Sequence, residues 1–168
     1  MPDHSDNGPV HKTMDEYGDS FTAHLLEQYK LYVQSAENVS SRRIAATRYL
    51  LTLSAALLSL SGLQSSVLSQ SDWTLAVPGT GILVSVLWYL IIKSYRDLNT
   101  VKFKVIHKLE QHLPAALFRH EWTIANQGRG KSYTAVTNIE KWLPCLFIGA
   151  HSLVVAIWVF NKLVELVT

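Results

Sequence analysis

The side chains in this sequence that could carry chemistry are its histidines, its one cysteine and a series of hydroxyl groups. His107, His112 and His120 share one basic segment, but gaps of five and eight residues do not place neighbouring side chains on one helix face. Solvated or locally bonded imidazoles are therefore expected there rather than a metal site. Cys145 has no disulfide partner within the chain. The sequence also lacks a phosphate-binding loop and a nucleophile elbow, so we expect no enzyme, no cofactor and no metal.

His151 differs from the other histidines because it lies near the middle of an uncharged apolar run, with nine residues of the run before it and ten after. An ionisable group at that depth in a bilayer is a functional candidate. Two interpretations stay open. The ring is either a neutral imidazole bonded to a Ser or a backbone carbonyl at a helix interface, or a group with a pH-sensing or conducting role.

The first apolar run is rich in hydroxyls and small residues. Thr52, Ser59 and Ser66 are seven residues apart and therefore lie along one edge of a helix, while Ala55, Ser59 and Gly62 have the small-residue spacing that lets helices approach closely. This polar edge either packs against spans of the same and adjacent subunits or lines a polar path in a ring of subunits.

The elements that must position these groups are three runs of 20 residues, 49–68, 73–92 and 142–161, none of which contains Asp, Glu, Lys or Arg. A helix rising ~1.5 Å per residue crosses a hydrocarbon core of roughly 30 Å in that length. A chain of 168 residues is too short to surround three such helices with soluble protein. The pattern predicts an all-α integral membrane protein with three transmembrane helices. Tryptophans near the run ends are expected at the membrane interfaces: Trp73, Trp88, Trp142 and Trp158.

The distribution of basic residues predicts the orientation of the chain. Residues 1–48 hold five Lys and Arg and residues 93–141 hold nine, whereas the turn 69–72 holds none. Because basic residues near span ends stay on the cytoplasmic face, the N-terminus and the central segment are expected in the cytoplasm. Basic residues next to the spans are expected to meet lipid headgroups: Arg42, Arg43, Arg48, Lys93, Arg96 and Lys141.

The parts outside the membrane are predicted to be amphipathic helices. A polar tail over 1–19 is expected to be disordered, and a helix over 20–48 starts at Phe21 and continues into the first span. A hairpin of spans over 49–92 leads to a basic helical loop over 93–141, in which Pro114 is expected to end the first helix and 115–125 to form a second. A third helix follows from Ser132. The third span and a short tail occupy 142–168, although Pro144 leaves open whether this run spans fully.

The order of several short motifs resembles the RipA family of small bacterial membrane proteins. The likeness covers roughly residues 21–150 and is carried by the following stretches: Tyr29-Lys30-Leu31-Tyr32-Val33, Ser41-Arg42-Arg43, Trp88-Tyr89, Ser94-Tyr95-Arg96-Asp97-Leu98-Asn99, Lys102-Phe103-Lys104-Val105-Ile106-His107, Leu113-Pro114, Glu121-Trp122, Tyr133 and Glu140. The resemblance implies a protein of the bacterial cytoplasmic membrane that assembles as an octameric homo-oligomer without assigned enzymatic activity. The layout is also similar to that of the two-span SLATT effectors, from which the third span departs.

Two functions are consistent with these observations. The first is a homo-oligomeric ring in the inner membrane, channel-like or pore-forming, that is gated by its cytoplasmic helices. The second is a non-conducting scaffold or regulator in which the basic loop and the amphipathic helix that starts at Phe21 recruit cytoplasmic proteins or anionic lipids. The expected partners are further copies of the chain, membrane lipids and a cytoplasmic protein, and no nucleic acid is expected because no recognition motif is present.

Overall fold

The protein is mainly helical, without strands, in the part of the chain whose structure is described. A computed structural model describes residues 8–67, 75–125 and 140–167, with the side chains of 64–67 excluded. A 3-10 turn, Glu110–His112, follows the third helix. The α-helices within the described residues are α1 Met14–Tyr17, α2 Phe21–Val67, α3 Ala76–Leu109, α4 Leu117–Ile124 and α5 Trp142–Val167. The all-α prediction is confirmed.

The segment 1–19, for which the sequence predicted disorder, contains the short helix α1. Thr13 and Glu16 form a capping box, in which the Thr13 amide donates to Glu16 Oε2 over 3.0 Å and the Glu16 amide donates to Thr13 Oγ1 over 3.4 Å. The turn ends at Gly18, whose φ of 89° is readily adopted only by a residue without a Cβ. Paired caps thus allow four residues to form a helical turn in a polar tail.

Helix α2 is one continuous helix of 47 residues that begins at Phe21 as the sequence predicted. It contains no proline, and its one glycine is Gly62, so nothing in the sequence interrupts the hydrogen-bond ladder. Helices α2, α3 and α5 are each long and apolar enough to cross a membrane. The three predicted spans are therefore supported by helices of sufficient length.

The ends of the other helices lie close to the predicted positions. Helix α3 ends at Leu109 and the 3-10 turn continues to His112, two residues before Pro114, and the second loop helix is α4, within the expected 115–125. The helix predicted from Ser132 begins outside the described residues. Pro144 does not break the third span, because it is the third residue of α5 and lies in the first turn, where an amide has no helical partner. The 26 residues of α5 extend about 39 Å.

The chain divides into two compact units. Unit 1 is formed by Met1–Ser41 and Tyr95–Ala135, and unit 2 by Arg42–Ser94 and Val136–Thr168. The buried apolar side chains of unit 1 are Leu25, Ala36, Ile106 and Leu109. The buried side chains of unit 2 combine aromatic, aliphatic and polar groups: Trp88, Ile92, Pro78, Pro144, Ser54, Ser61, Ser85 and His151.

Candidate functional site

The most unusual group in unit 2 is the imidazole of His151 on α5, which is fully buried. Its ring lies directly against Gly81 on α3, where a Cβ atom would collide with the ring atoms Cε1, Nε2 and Cδ2. The ring also faces the backbone of Ser54 on α2. His151 therefore occupies the point where the three candidate spans of unit 2 meet, and Gly81 leaves the space that the ring fills.

Several polar groups around this point have no hydrogen bond. Within the described residues, neither ring nitrogen of His151 has a partner of standard geometry, although the ring approaches Ser54, and the hydroxyl of Ser54 is also unpartnered. Ser85 is buried as well, but its hydroxyl donates to the Gly81 carbonyl over 2.8 Å. Orphaned polar groups in a membrane interior are expensive, so this cluster is a candidate for function.

An aromatic contact also joins α3 to α5. The indole of Trp88 is fully buried and contacts Phe147 on α5, with ring centroids 6.0 Å apart. Trp88 was expected at the membrane interface, and its ring packs against protein; its depth in a membrane stays a prediction. Among the other predicted interface aromatics, Trp142 is 70% exposed, Trp158 is half-buried and Trp73 lies outside the described residues.

The predicted polar edge of the first span lies on the exposed side of α2. Thr52 donates its hydroxyl to the Arg48 carbonyl over 3.1 Å, and Ser59 donates to the Ala55 carbonyl over 2.9 Å. The side chain of Ser66 lies outside the described residues. The edge of α2 that packs inside unit 2 is a different one and carries the buried Ser54 and Ser61. The edge picked from the sequence is thus available to lipid, to another subunit or to a lumen.

The basic residues predicted to meet lipid headgroups fall into two groups. Arg43 forms an ion pair with Glu140, with Nη1 and Oε2 3.0 Å apart and both side chains about 15% exposed. The pair links α2 to the residues just before α5. Lys141 is half-buried, and the remaining four are exposed: Arg42, Arg48, Lys93 and Arg96.

A second buried ionisable group, which the sequence analysis did not identify, lies in unit 1. The carboxylate of Glu110 is 1% exposed and accepts hydrogen bonds from the amides of Phe118 and Arg119, over 2.8 and 2.9 Å. These amides open helix α4, whose N-cap residue Ala116 has no side chain that could accept them. The Tyr29 hydroxyl donates to the same carboxylate over 3.1 Å. We call this arrangement the Glu110 clamp.

The Glu110 clamp changes the acidity of its tyrosine. Burial, and then the negative charge and hydrogen bond of Glu110, raise the pKa of Tyr29 from its ordinary 10.0 to about 12. The clamp is therefore a hydroxyl donor held against a carboxylate, and it fixes α4 to the first half of α2 within unit 1.

Other side chains of unit 1 join α3 to α2 and to α4. The Lys102 ammonium donates to the Ser35 hydroxyl over 2.8 Å and lies 4.6 Å from the centroid of the Tyr32 ring. Phe103 packs edge-on against Phe118 of α4, with centroids 5.9 Å apart. Across the described residues, no group of three His, Cys, Asp or Glu side chains could hold a metal ion.

The contacts that the sequence did not predict join residues far apart in the chain. Gly81 and His151 are 70 residues apart, and Tyr29 and Glu110 are 81 apart. One signal for the clamp was present, since Ala116 cannot cap the predicted second loop helix and another acceptor must replace it. Which acceptor would do so cannot be read from local spacing.

Three apolar helices that meet at a buried polar cluster, each long enough to cross a bilayer, define an α-helical integral membrane protein. The chain belongs to the octameric membrane protein family (8xMP), whose family model matches residues 26–160. This membership supports self-association of the chain in a membrane. No curated protein and no solved structure gives a significant match. The finer resemblance to the RipA family and to SLATT effectors stays a prediction.

Proposed function

We propose that the protein forms a homo-oligomeric, channel-like ring in the bacterial inner membrane, which its cytoplasmic helices gate, and that it has no enzymatic activity. The observation that carries the proposal is the exposed hydroxyl edge of α2, where Thr52 and Ser59 lie outside the packed interior of unit 2. In an assembly, every exposed surface of unit 2 faces lipid, another subunit or a lumen. Of these, a lumen is the one that uses hydroxyl oxygens as ligands for passing water or ions.

The rest of the surface of unit 2 supports this assignment by contrast. Large aliphatic side chains are exposed on α3 and α5, among them Leu83, Leu90 and Leu153, which are 66%, 52% and 61% exposed. These faces suit acyl chains or apolar contacts between subunits. The edge of α2 with Thr52, Ala55 and Ser59 suits a lumen or a close helix contact.

The proposed orientation follows from charge. The N-terminus and the segment 93–141 carry 14 of the 15 basic residues, and placing both in the cytoplasm obeys the positive-inside rule. The proposed gate uses α2, which continues from residues of unit 1 into residues of unit 2 without interruption. Binding of a cytoplasmic protein or of anionic lipid to the basic segment would bias such a gate.

The test is ion flux through the purified full-length protein in liposomes. We expect flux in the wild type and a loss of about tenfold or more when Thr52→Leu and Ser59→Leu narrow and dehydrate the lumen. Thr80→Leu is the matched control, because Thr80 is an exposed α3 hydroxyl that also donates to a carbonyl four residues earlier. Equal loss in the control contradicts a lumen at α2, and a wild type without flux at any pH contradicts the channel.

A non-conducting scaffold is the second candidate, and one observation favours it. The Thr52 and Ser59 hydroxyls already donate to their own helix, so they need no water and can pack against another apolar helix. A cryo-EM map in nanodiscs distinguishes the two candidates. A water-filled axis lined by these hydroxyls supports the channel, and an axis filled by lipid or by Leu and Val side chains supports the scaffold.

A further inference from the structure

His151 occupies a position that suits only an uncharged ring. The imidazole is fully buried, fills the space that Gly81 leaves open, and has no hydrogen-bond partner of standard geometry within the described residues. A structural histidine normally bonds at least one ring nitrogen to a fixed partner. The ring is held by its close fit against Gly81, and its approach to the Ser54 backbone falls short of standard hydrogen-bond geometry.

Within the described residues, the apolar runs that pack against this ring carry no counter-ion. The runs 49–68, 73–92 and 142–161 contain no Asp, Glu, Lys or Arg, and their other titratable groups, Tyr49, Tyr89 and Cys145, are all exposed. The ion pair of Arg43 and Glu140 lies eleven residues from Ser54 and from His151, which is about 16 Å along each helix. An imidazolium at this point would carry a buried and uncompensated charge.

We propose that His151 is a proton-binding switch, in which protonation of the ring breaks its contact with Gly81 and loosens α5 from α2 and α3. The contact is close, because the gap at Gly81 has no room for even one further carbon atom beside the ring, so a movement of the ring must also move α5 relative to α3. A charged ring seeks water or headgroups, and it reaches them only if α5 shifts or rotates. The effect of this motion on conduction rests on the proposed function. The switch itself is a property of unit 2 and does not depend on conduction.

The experiment follows the ring and the flux in the same liposomes, from about pH 8 down to about pH 5. Solid-state NMR of the full-length protein with labelled histidine and glycine reports the protonation of His151 and its contact with Gly81. We expect the contact to disappear as the ring gains its proton, because the ratio of charged to neutral imidazole changes about tenfold per pH unit. A ring that stays neutral and in contact at the acid end overturns the proposal.

Variants separate the switch from other effects of pH. His151→Gln and His151→Asn should give flux that no longer depends on pH, whereas His120→Gln, at an exposed position outside the spans, should keep the wild-type profile. Gly81→Ala should resemble the protonated state at every pH, because its Cβ displaces the ring. If both His151 variants keep the wild-type profile, the switch is refuted while the channel stands. If the contact responds to pH but no condition gives flux, the switch stands and the channel is refuted.

Discussion

Glu110 in unit 1 and His151 in unit 2 are buried to the same degree, at 1% and 0% exposure, but their surroundings differ. The carboxylate accepts three hydrogen bonds, two of them from the opening turn of a helix, where the helix dipole also favours a negative charge. The imidazole has neighbours that fit its shape and leave its nitrogens without partners of standard geometry. Unit 1 thus holds its buried group with hydrogen bonds, and unit 2 holds its own by the close fit of neighbouring residues.

The difference has a physical origin in what each unit can use for stability. In water, burial of apolar surface drives packing, and polar networks then select one arrangement. Inside a bilayer the lipid is as apolar as the side chains, so helices associate through close van der Waals contact and small residues. The Gly81 contact and the burial of Trp88 are typical of the second situation, and the Glu110 clamp is typical of the first.

The largest expected effect is that of removing the indole from unit 2. Trp88→Ala should lower the free energy of unfolding by about 4 kcal/mol, because it leaves a large cavity beside Phe147. Unfolding by denaturing detergent in mixed micelles measures this loss. Leu87→Ala is the control, since Leu87 is 56% exposed and should lose less than about 1 kcal/mol. Equal losses for the two variants would mean that Trp88 serves as an interface anchor and not as a packing residue.

The next effect is loss of the Glu110 clamp. Glu110→Ala should expose the opening amides of α4 and leave the Tyr29 hydroxyl without its acceptor, at a local cost of about 3 kcal/mol. Hydrogen exchange at the amides of Phe118 and Arg119 should then accelerate about a hundredfold.

The control for this clamp lies on α4 itself. Glu121→Ala removes an exposed carboxylate from the same helix and should leave exchange at both amides unchanged. If Glu110→Ala and Glu121→Ala behave alike, the clamp does not hold α4, and the contrast between the two units disappears.

The helices of this protein could be predicted from the sequence, but the contacts between them could not. Helix α2 and the three apolar helices follow from local properties, namely length, absence of proline and uncharged runs, and so they were predictable. The depth of His151 was equally visible from its place in the third run. Its partner Gly81 was not, because the register between two apolar helices depends on side-chain fit that no periodicity encodes.

Other details of the structure were not visible in the sequence. The helical run through α3 and its 3-10 turn ends two residues before Pro114, but no local pattern indicated that Glu110 in this turn accepts from the amides of α4. Trp88 was assigned to an interface from its spacing to Trp73, which describes depth in the membrane but not the side of the helix that faces protein. A capping box made one helical turn in a tail whose composition predicted disorder. Each case depends on a contact or an orientation that composition cannot specify.

An intermediate effect is expected for the ion pair of unit 2, which is the exception to the contrast drawn above. Arg43 and Glu140 are both mostly buried, so their coupling energy should be about 2 kcal/mol, above that of an exposed pair. A double-mutant cycle with Arg43→Ala and Glu140→Ala measures it. The cycle is needed because Arg43 takes part in another interaction as well. A coupling energy near zero would mean that this pair behaves as an ordinary surface ion pair. Arg42→Ala is the control and gives the effect of removing an exposed arginine on the free energy of unfolding.

The smallest effect distinguishes the parts of the Glu110 clamp. Tyr29→Phe keeps the ring and removes one hydroxyl bond, so it should cost about 1 kcal/mol and accelerate exchange at Phe118 only slightly. Glu110 still accepts from both amides in this variant. A loss as large as that of Glu110→Ala would mean that Tyr29, and not the helix terminus, holds the carboxylate in place.

The same tyrosine gives this prediction a pH signature. Because the pKa of Tyr29 is raised above 10.0 in the folded protein, its contribution to stability is complete below about pH 10 and is lost as the pH rises through about 12. In the wild type, the protection of the α4 amides against hydrogen exchange should therefore decrease at alkaline pH, and Tyr29→Phe should remove part of this decrease.

Glu110→Gln should lower the pKa of Tyr29 only partway towards 10.0, since burial is the larger cause and survives the substitution. A phenol titration by ultraviolet absorbance, taken as the difference from Tyr29→Phe, measures this shift.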